Sequence, residues 1–453
     1  MRGHHTTGRA PGAAAPAPSA PPGAAPIARP PDPGTTGGAS ASAPDTVAQP
    51  PGRGRADSGQ AWLIAAAGLV ANAACWGTMN SFGAFLDSMK TEFGASLGAT
   101  ALIYALPSLV LFMLGLVTGP LADQYGPRRM VAGGAALIGT GLVITAHAPN
   151  LPVAIIAYGL GVGLGMACFL VPVTACIGGW FVRRRALAQG LSAAGSGVGT
   201  LAMVPFARWL IDAYGWRRAY EVLAVICVAA LLLAAAVAAR PPNRRPTGRP
   251  SLRKLREAAA QGPFLQAYAG GFLLSAALFV PFVFLVRYAT DHGIAKRDAA
   301  LLLSILGASN IVSRLLTTGL AGRVGAVRLY LLCFVSLPVG LGLWLAAGSS
   351  YLALGVFAAV LGISHGGYVA LSPEVAAELF GVENIGTVLG ALWTSSGVGG
   401  FLSPVLAGML IDATGYGTTI TVAIAVGVAA VVAQPALWAV SRRDRAAPTP
   451  APS

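Results

Sequence analysis

The sequence predicts an all-α membrane protein whose twelve transmembrane helices form two parallel six-helix pseudo-repeats. Three observations predict it. The 453 residues are 55% hydrophobic and only 10% charged, with a mean hydropathy of +0.68, whereas a soluble domain carries about 25% charged residues. Apolar runs near the ~20-residue length that crosses a bilayer recur along the chain, without the alternation of a membrane barrel. The two halves also repeat each other. Ser196-Gly197-Val198-Gly199 returns as Ser396-Gly397-Val398-Gly399, and Leu210-Ile211-Asp212-Ala213 as Leu410-Ile411-Asp412-Ala413, both at an offset of 200. Leu121-Ala122 and Gly126 are echoed by Leu320-Ala321 and Gly325. One register held over such separations indicates duplication of a helical unit. Six is an even number, so both copies insert the same way up and are related by an axis along the membrane normal.

Residues 1–58, rich in Ala, Pro, Gly and Ser, cannot bury a core and predict a disordered cytoplasmic tail. They contain no apolar h-region, which argues against a cleaved signal peptide. An N-terminal bundle is predicted over 59–239, with spans near 61–86, 97–120, 129–147, 151–178, 187–211 and 218–239. A basic cytoplasmic linker follows over 240–263. The C-terminal bundle, 264–440, has spans near 264–289, 298–319, 327–346, 351–376, 384–409 and 417–440, and 441–453 is a second cytoplasmic tail. Arginine clusters alternate with the spans, at Arg128 and Arg129, Arg183 to Arg185, the linker, Arg323 and Arg328, and Arg442 to Arg445. All fall on one side if both termini are cytoplasmic, as the positive-inside rule requires. The formal net charge of +14 is therefore read as membrane orientation, and no nucleic-acid partner is expected. Cys75, Cys168, Cys176, Cys227 and Cys333 all lie in apolar segments without CxxC spacing and read as packing residues. No metal site or cofactor is expected.

The segment 303–319 places Arg314 inside a run otherwise fit for lipid. A charge near the bilayer centre costs roughly 2.5 kcal/mol or more, so such residues usually face a bundle interior or a watery cavity. Gly307, Asn310, Arg314 and Thr317 recur at i, i+3 and i+4 spacing and gather on one helix face, which should line a pore or pocket. Pairing with a carboxylate from another helix, or snorkelling to the interface, would also accommodate Arg314. Arg208 and Arg287 lie near the opposite ends of their spans, where attraction of anions and snorkelling explain them equally.

Between the second and third spans stands Gly119-Pro120-Leu121-Ala122-Asp123-Gln124-Tyr125-Gly126-Pro127-Arg128-Arg129. Its order resembles the signature loop of the major facilitator superfamily. The resemblance implies a cytoplasmic gate of ion pairs using Asp123, Gly126, Arg128 and Arg129. The second-half copy, Leu320 to Gly325, lacks the acid. Three further stretches resemble one branch of that superfamily, the monocarboxylate transporters and oxalate:formate antiporter-like proteins. They are Trp180 to Gly190, which includes Arg184 as a further gating residue, Pro281 to Ala289, and Ala370-Leu371-Ser372-Pro373 onward to Asp412-Ala413-Thr414-Gly415.

That branch implies roles. Its animal members carry an Asp and an Arg one turn apart on helix 8, the Arg pairing with the substrate carboxylate. Arg314 matches the Arg. Asn310 stands where the Asp would be and cannot take up a proton near neutrality. Asn80 matches a Lys of helix 1, and Phe169 a Tyr of helix 4. Tyr368 and His365 on helix 10 are candidate polar contacts, Phe169, Trp76 and Trp393 a candidate apolar wall, and ordinary packing would explain each of these as well. One guanidinium balancing one charge favours a monoanion. The expected function is a secondary active transporter of a small organic anion, a monocarboxylate by preference, working by alternating access as uniport, proton symport or anion exchange. An efflux pump for another molecule and a non-transporting sensor are the alternatives. No nucleophile–base set or phosphate loop is present, so an enzyme is not expected. The expected setting is a bacterial inner membrane, as a monomer in the lipid bilayer, with the organic anion and protons as partners.

Overall fold

The computed structural model describes residues 57–239, 260–380 and 385–446. The tail predicted over 1–58 and the linker predicted over 240–263 fall almost wholly outside the described residues, as does 447–453 of the second tail. Every regular element among the described residues is a helix: α1 Gly59–Asn80, α2 Phe82–Phe93, α3 Leu97–Tyr125, α4 Pro127–Ala146, α5 Leu151–Trp180, α6 Arg185–Val237, α7 Gly262–Asp291, α8 Lys296–Val324, α9 Ala326–Ala347, α10 Tyr351–Phe380, α11 Ile385–Thr414, α12 Tyr416–Val432 and α13 Pro435–Ala446. Ten stretches are long and apolar enough to cross a membrane, and α12 is a shorter apolar helix. One of the ten lies in the 53-residue α6, which breaks at Gly215 into two arms. This gives the twelve spans.

Helix starts are capped by side chains suited to the task. Ser58, Ser96 and Asn150 accept from the backbone N–H groups of Ala61, Ala99 and Val153 at 3.4, 3.2 and 3.1 Å. Glycine in the positive-φ region, which side chains rarely tolerate, turns the chain at equivalent points of each half. Gly126 (φ 87°) joins α3 to α4 as Gly325 (φ 95°) joins α8 to α9. Gly215 (φ 83°) divides α6 as Gly415 (φ 86°) separates α11 from α12.

Packing repeats as well. In the first half α1 and α4 pack on α6, and α3 and α4 on α5. In the second, α7 packs on α11 and α12, α8 and α9 on α10, and α9 on α12. The halves meet through α3 against α11, α6 against α8 and α2 against α7. The duplicated Ser-Gly-Val-Gly supplies the close approaches. A Cβ on Gly197 would stand 2.9 Å from the Gly307 carbonyl oxygen in the other half, and one on Gly397 2.8 Å from Phe112 Cβ. Gly199 and Gly399 instead face their own halves, where a Cβ would meet the carbonyls of Ala73 and Phe272 at 2.1 and 2.8 Å.

Three boundaries differ from the sequence reading. The first span is interrupted at Ser81, whose hydroxyl donates to the Gly77 carbonyl at 2.7 Å. The fifth and sixth spans share one helical run, because Gly215 bends the backbone without a loop. The last span stops at Val432, and α13 carries helix into the region predicted as tail.

Candidate functional site

The site begins with a backbone approach between α8 and α10. A Cβ on Gly362 or Gly366 would lie 2.3 or 2.6 Å from the carbonyl oxygens of Leu306 or Asn310, so only glycine lets the helices come this close. This contact sets His365 opposite Asn310. The side chains then form a chain: Arg314 Nε donates to Asn310 Oδ1 at 2.9 Å, and Asn310 Nδ2 meets His365 Nδ1 at 3.0 Å. Arg314 Nη1 donates to the Ala193 carbonyl on α6 at 2.9 Å, crossing from one half to the other. A guanidinium has only donors, so Asn310 must turn its oxygen to Arg314 and its NH2 to His365, and His365 Nδ1 is the acceptor. Asn310 is 3% exposed, while Arg314 and His365 are half-buried. The His365 ring stands edge-on to Phe282, with centroids 5.4 Å apart.

Tyr368, one turn beyond His365, lies in an adjoining hydroxyl cluster. Its OH is 3.3 Å from Ser396 Oγ, which accepts from Ser275 at 2.9 Å. Gly271, Tyr330, Tyr368, Ser372, Trp393 and Ser395 line a pocket of about 410 Å³, counting space open to solvent. Trp393 meets Phe112 of the first half with ring centroids 5.5 Å apart. Asn80 is brought to the level of α8 indirectly. Its amide donates to Thr200 Oγ1 at 2.8 Å, and Thr200 Cβ lies 3.1 Å from where a Gly307 Cβ would be. Phe169 is fully buried in the first half's core.

At the end of the bundle that bears the arginine clusters, Gly126 makes a tight turn at positive φ, and Arg128, Arg129 and Arg184 are exposed. The Asp123 side chain lies outside the described residues. Arg184 meets a different acid: the backbone N–H groups of Val182, Arg183 and Arg184 converge on the Asp57 carboxylate at 3.2 to 3.4 Å. The Arg183 N–H, with those of its two neighbours, holds the Asp57 carboxyl below the usual carboxylate range.

The opposite end is shut by contacts between halves. Arg287 pairs with Asp87 across the interface and with Asp291 on its own helix at 3.4 Å, and Asp412 Oδ2 accepts from Leu97 N–H at 2.7 Å. Tyr416 donates to Asp291 at 2.7 Å. Arg208 Nε donates to Asp212 Oδ2 at 3.0 Å. Arg208 and Arg287 therefore sit in ion pairs instead of snorkelling, because each has an acid one turn along its own helix.

The family model described as Major Facilitator Superfamily matches residues 67–404 and 320–453. The chain belongs to the major facilitator superfamily. It is a multi-pass membrane transporter and not an enzyme. Curated relatives include the rat "Monocarboxylate transporter 3", 31% identical over 376 residues that cover 80% of this chain and 76% of that protein. Human "Monocarboxylate transporter 11" is 30% identical over 390 residues, covering 82% and 81%. Solved structures with the same fold include a bacterial homologue of the human lysosomal transporter Spinster in an inward-facing, unoccupied conformation. It has a TM-score of 0.65 at 14% identity and covers 84% of this chain and 97% of that one. The nucleoside transporter NupG reaches a TM-score of 0.69 at 12% identity, covering 83% and 99%.

Sequence reasoning missed three partners in this major facilitator protein. The Ala193 carbonyl carries no side-chain signal at all. Thr200 and Ser396 could have been found, since both are hydroxyls placed in or beside the duplicated Ser-Gly-Val-Gly.

Proposed function

We propose that this protein is a secondary transporter of small monocarboxylates in which Arg314 anchors the anion between the two halves. The observation that carries the reading is the position of that guanidinium: it is rooted on α8, braced by Asn310, and reaches across the interface to the Ala193 carbonyl. The relatives named monocarboxylate transporters support it. A guanidinium binds a carboxylate through parallel N–H donors. An arriving carboxylate would take the Nη1 donor now given to Ala193, and so would loosen one tie between the halves as it binds. Hydrogen bonds to a charged group are worth about 1.5–3 kcal/mol each, enough to bias such an exchange. Asn80, Tyr368 and His365 supply polar surroundings, and Phe169 stiffens the first half behind them.

In this reading 59–239 and 264–440 are the two moving bodies, and the basic end is cytoplasmic. Asp123, Gly126, Arg128, Arg129 and Arg184 form the cytoplasmic gate. Arg287, Asp87 and Asp412 close the outer side. The protein works as a monomer in the cell membrane.

The test is counterflow of labelled L-lactate and pyruvate in proteoliposomes holding the purified protein. Arg314→Ala is predicted to abolish exchange with normal membrane insertion, and Arg314→Lys to retain a small fraction, since a lysine offers one point charge in place of a fork. Unchanged exchange in Arg314→Ala would remove the anchor from the mechanism.

A further inference from the structure

We propose that Ser304 is a positioning residue of the transport cycle: its hydroxyl caps a main-chain carbonyl that Pro205 leaves open on the opposite half, and so latches the arrangement in which the end remote from the arginine clusters is shut. The inference needs only that the two halves part during transport. It does not depend on what Arg314 binds.

Pro205 stands inside α6. Proline carries no N–H, so the carbonyl of Leu201, four residues before it, receives no i+4 hydrogen bond from its own helix. Ser304 supplies a donor from across the interface: its Oγ donates to the Leu201 carbonyl at 2.9 Å. Ser304 is 6% exposed and lies about 12 Å along α8 from Lys296. That depth is within the span, where lipid offers an open carbonyl no donor. Gly307, one turn further on, lets the helices come close enough for this reach, since a Cβ there would stand 2.7 Å from Leu201 N.

The tie made by Arg314 is of another kind. The Ala193 carbonyl that it meets also accepts from Ser196 Oγ at 3.0 Å, and Gly197, four residues on, has an N–H to offer. Ala193 therefore keeps a donor when Arg314 lets go. Leu201 loses its side-chain donor when α6 and α8 part, and its carbonyl must then find water in the opened cleft. The shut arrangement satisfies this acceptor through Ser304, and the open one does so through solvent.

The seam between α3 and α11 is built differently. Pro404 in α11 opens the Gly400 carbonyl in the same way. Ser108 of α3 faces this turn, its Cβ 3.3 Å from where a Gly400 Cβ would be. The Ser108 hydroxyl nevertheless turns back to its own helix and donates to the Tyr104 carbonyl at 3.4 Å. Two serines thus stand in equivalent seams, and one of them reaches across.

The test is a double-mutant cycle on the full-length protein in proteoliposomes, read by spin labels at His147→Cys and Ser349→Cys, one on each half at the shut end. Ser304→Ala strands the Leu201 carbonyl in the shut arrangement and should shift the balance toward the open one by about fivefold or more. Pro205→Ala returns an N–H to Leu201, so in that background Ser304→Ala should shift the balance by less than about twofold. A loss of bulk at position 304 would act alike in both backgrounds. Equal shifts with and without Pro205, or no shift with Pro205 in place, would overturn the proposal. Ser108→Ala should leave the distribution alone, and a shift as large as that of Ser304→Ala would count against the latch. Should Pro205→Ala fail to insert, two nearly isosteric variants decide. Ser304→Thr keeps the hydroxyl and should retain the parental distribution, whereas Ser304→Val should open it; identical distributions would refute the role of the hydroxyl. Pyruvate counterflow in the same proteoliposomes tests Arg314 separately. A parent that exchanges no pyruvate while the cycle behaves as expected would remove the carboxylate reading and uphold the latch.

Discussion

Substituting Gly307 by alanine tests whether the tie between α6 and α8 belongs to the fold or to its movement. The new Cβ would stand 2.7 Å from Leu201 N and 2.8 Å from Gly197 O, with Thr200 Cβ at 3.1 Å. The first two are backbone atoms and cannot rotate aside. Restoring ordinary contact needs about 0.7 Å of separation between the helices, and overpacking of this kind costs about 1–3 kcal/mol. The helices belong to opposite halves, so the cost falls on the arrangement in which the halves meet here. It corresponds to a shift of about 5–150-fold in the balance of conformations. Gly199→Ala is the control. Its Cβ would meet the Ala73 carbonyl at 2.1 Å, but α1 and α6 lie in the same half. Spin labels at His147→Cys and Ser349→Cys, both exposed at the end remote from the arginine clusters, report the distance between halves. Gly307→Ala should broaden or move that distribution with little change in melting temperature. Gly199→Ala should lower the melting temperature and leave the distribution alone. Identical behaviour of the two variants would refute the reasoning.

The same spin labels test the shut end: Asp87→Asn removes the partner of Arg287 in the other half. The pair is partly exposed, at 20% and 42%, so a gain of up to about 1 kcal/mol for the open form is expected, or about fivefold in population. Thr200→Val strands the Asn80 amide, which is 5% exposed, and should destabilise the protein by about 1–3 kcal/mol in thermal unfolding. Replacing Asn80 by leucine in that background should recover much of the loss. Asp57→Asn should speed hydrogen exchange at the amides of Val182, Arg183 and Arg184. Because the folded state lowers the Asp57 carboxyl's affinity for protons, its contribution is present above the ordinary carboxylate range and lost as pH falls through the folded value. Acidification of the parent should therefore lower the protection of these amides, relative to their intrinsic exchange at the same pH, toward that of the variant.

Much of the site was legible because it is written in residue type. An arginine in a lipid-compatible helix, with an asparagine one turn before it, marked α8 without any fold in hand. The link from Asn310 to His365 was not legible, since the two are 55 positions apart and each fits an ordinary packing role. The Asp87 partner of Arg287 was not legible for the same reason: hydropathy places the arginine near a helix end, and only the neighbouring helix reveals that acid. Asp57 fell within the predicted tail, 1–58, and its three amide partners lie more than a hundred residues further along.

The sequence by itself determined the number of spans and their duplication. These are written along the chain: apolar length against bilayer thickness, and one register kept between the two halves. Tertiary structure alone decided what Arg314 touches. Its acceptor across the interface is a main-chain carbonyl, which every residue possesses, and its link to His365 depends on the close approach of α8 and α10 at Gly362 and Gly366. Hydropathy is summed along one helix, whereas a hydrogen-bonded chain through three side chains exists only where two helices are held within reach of each other.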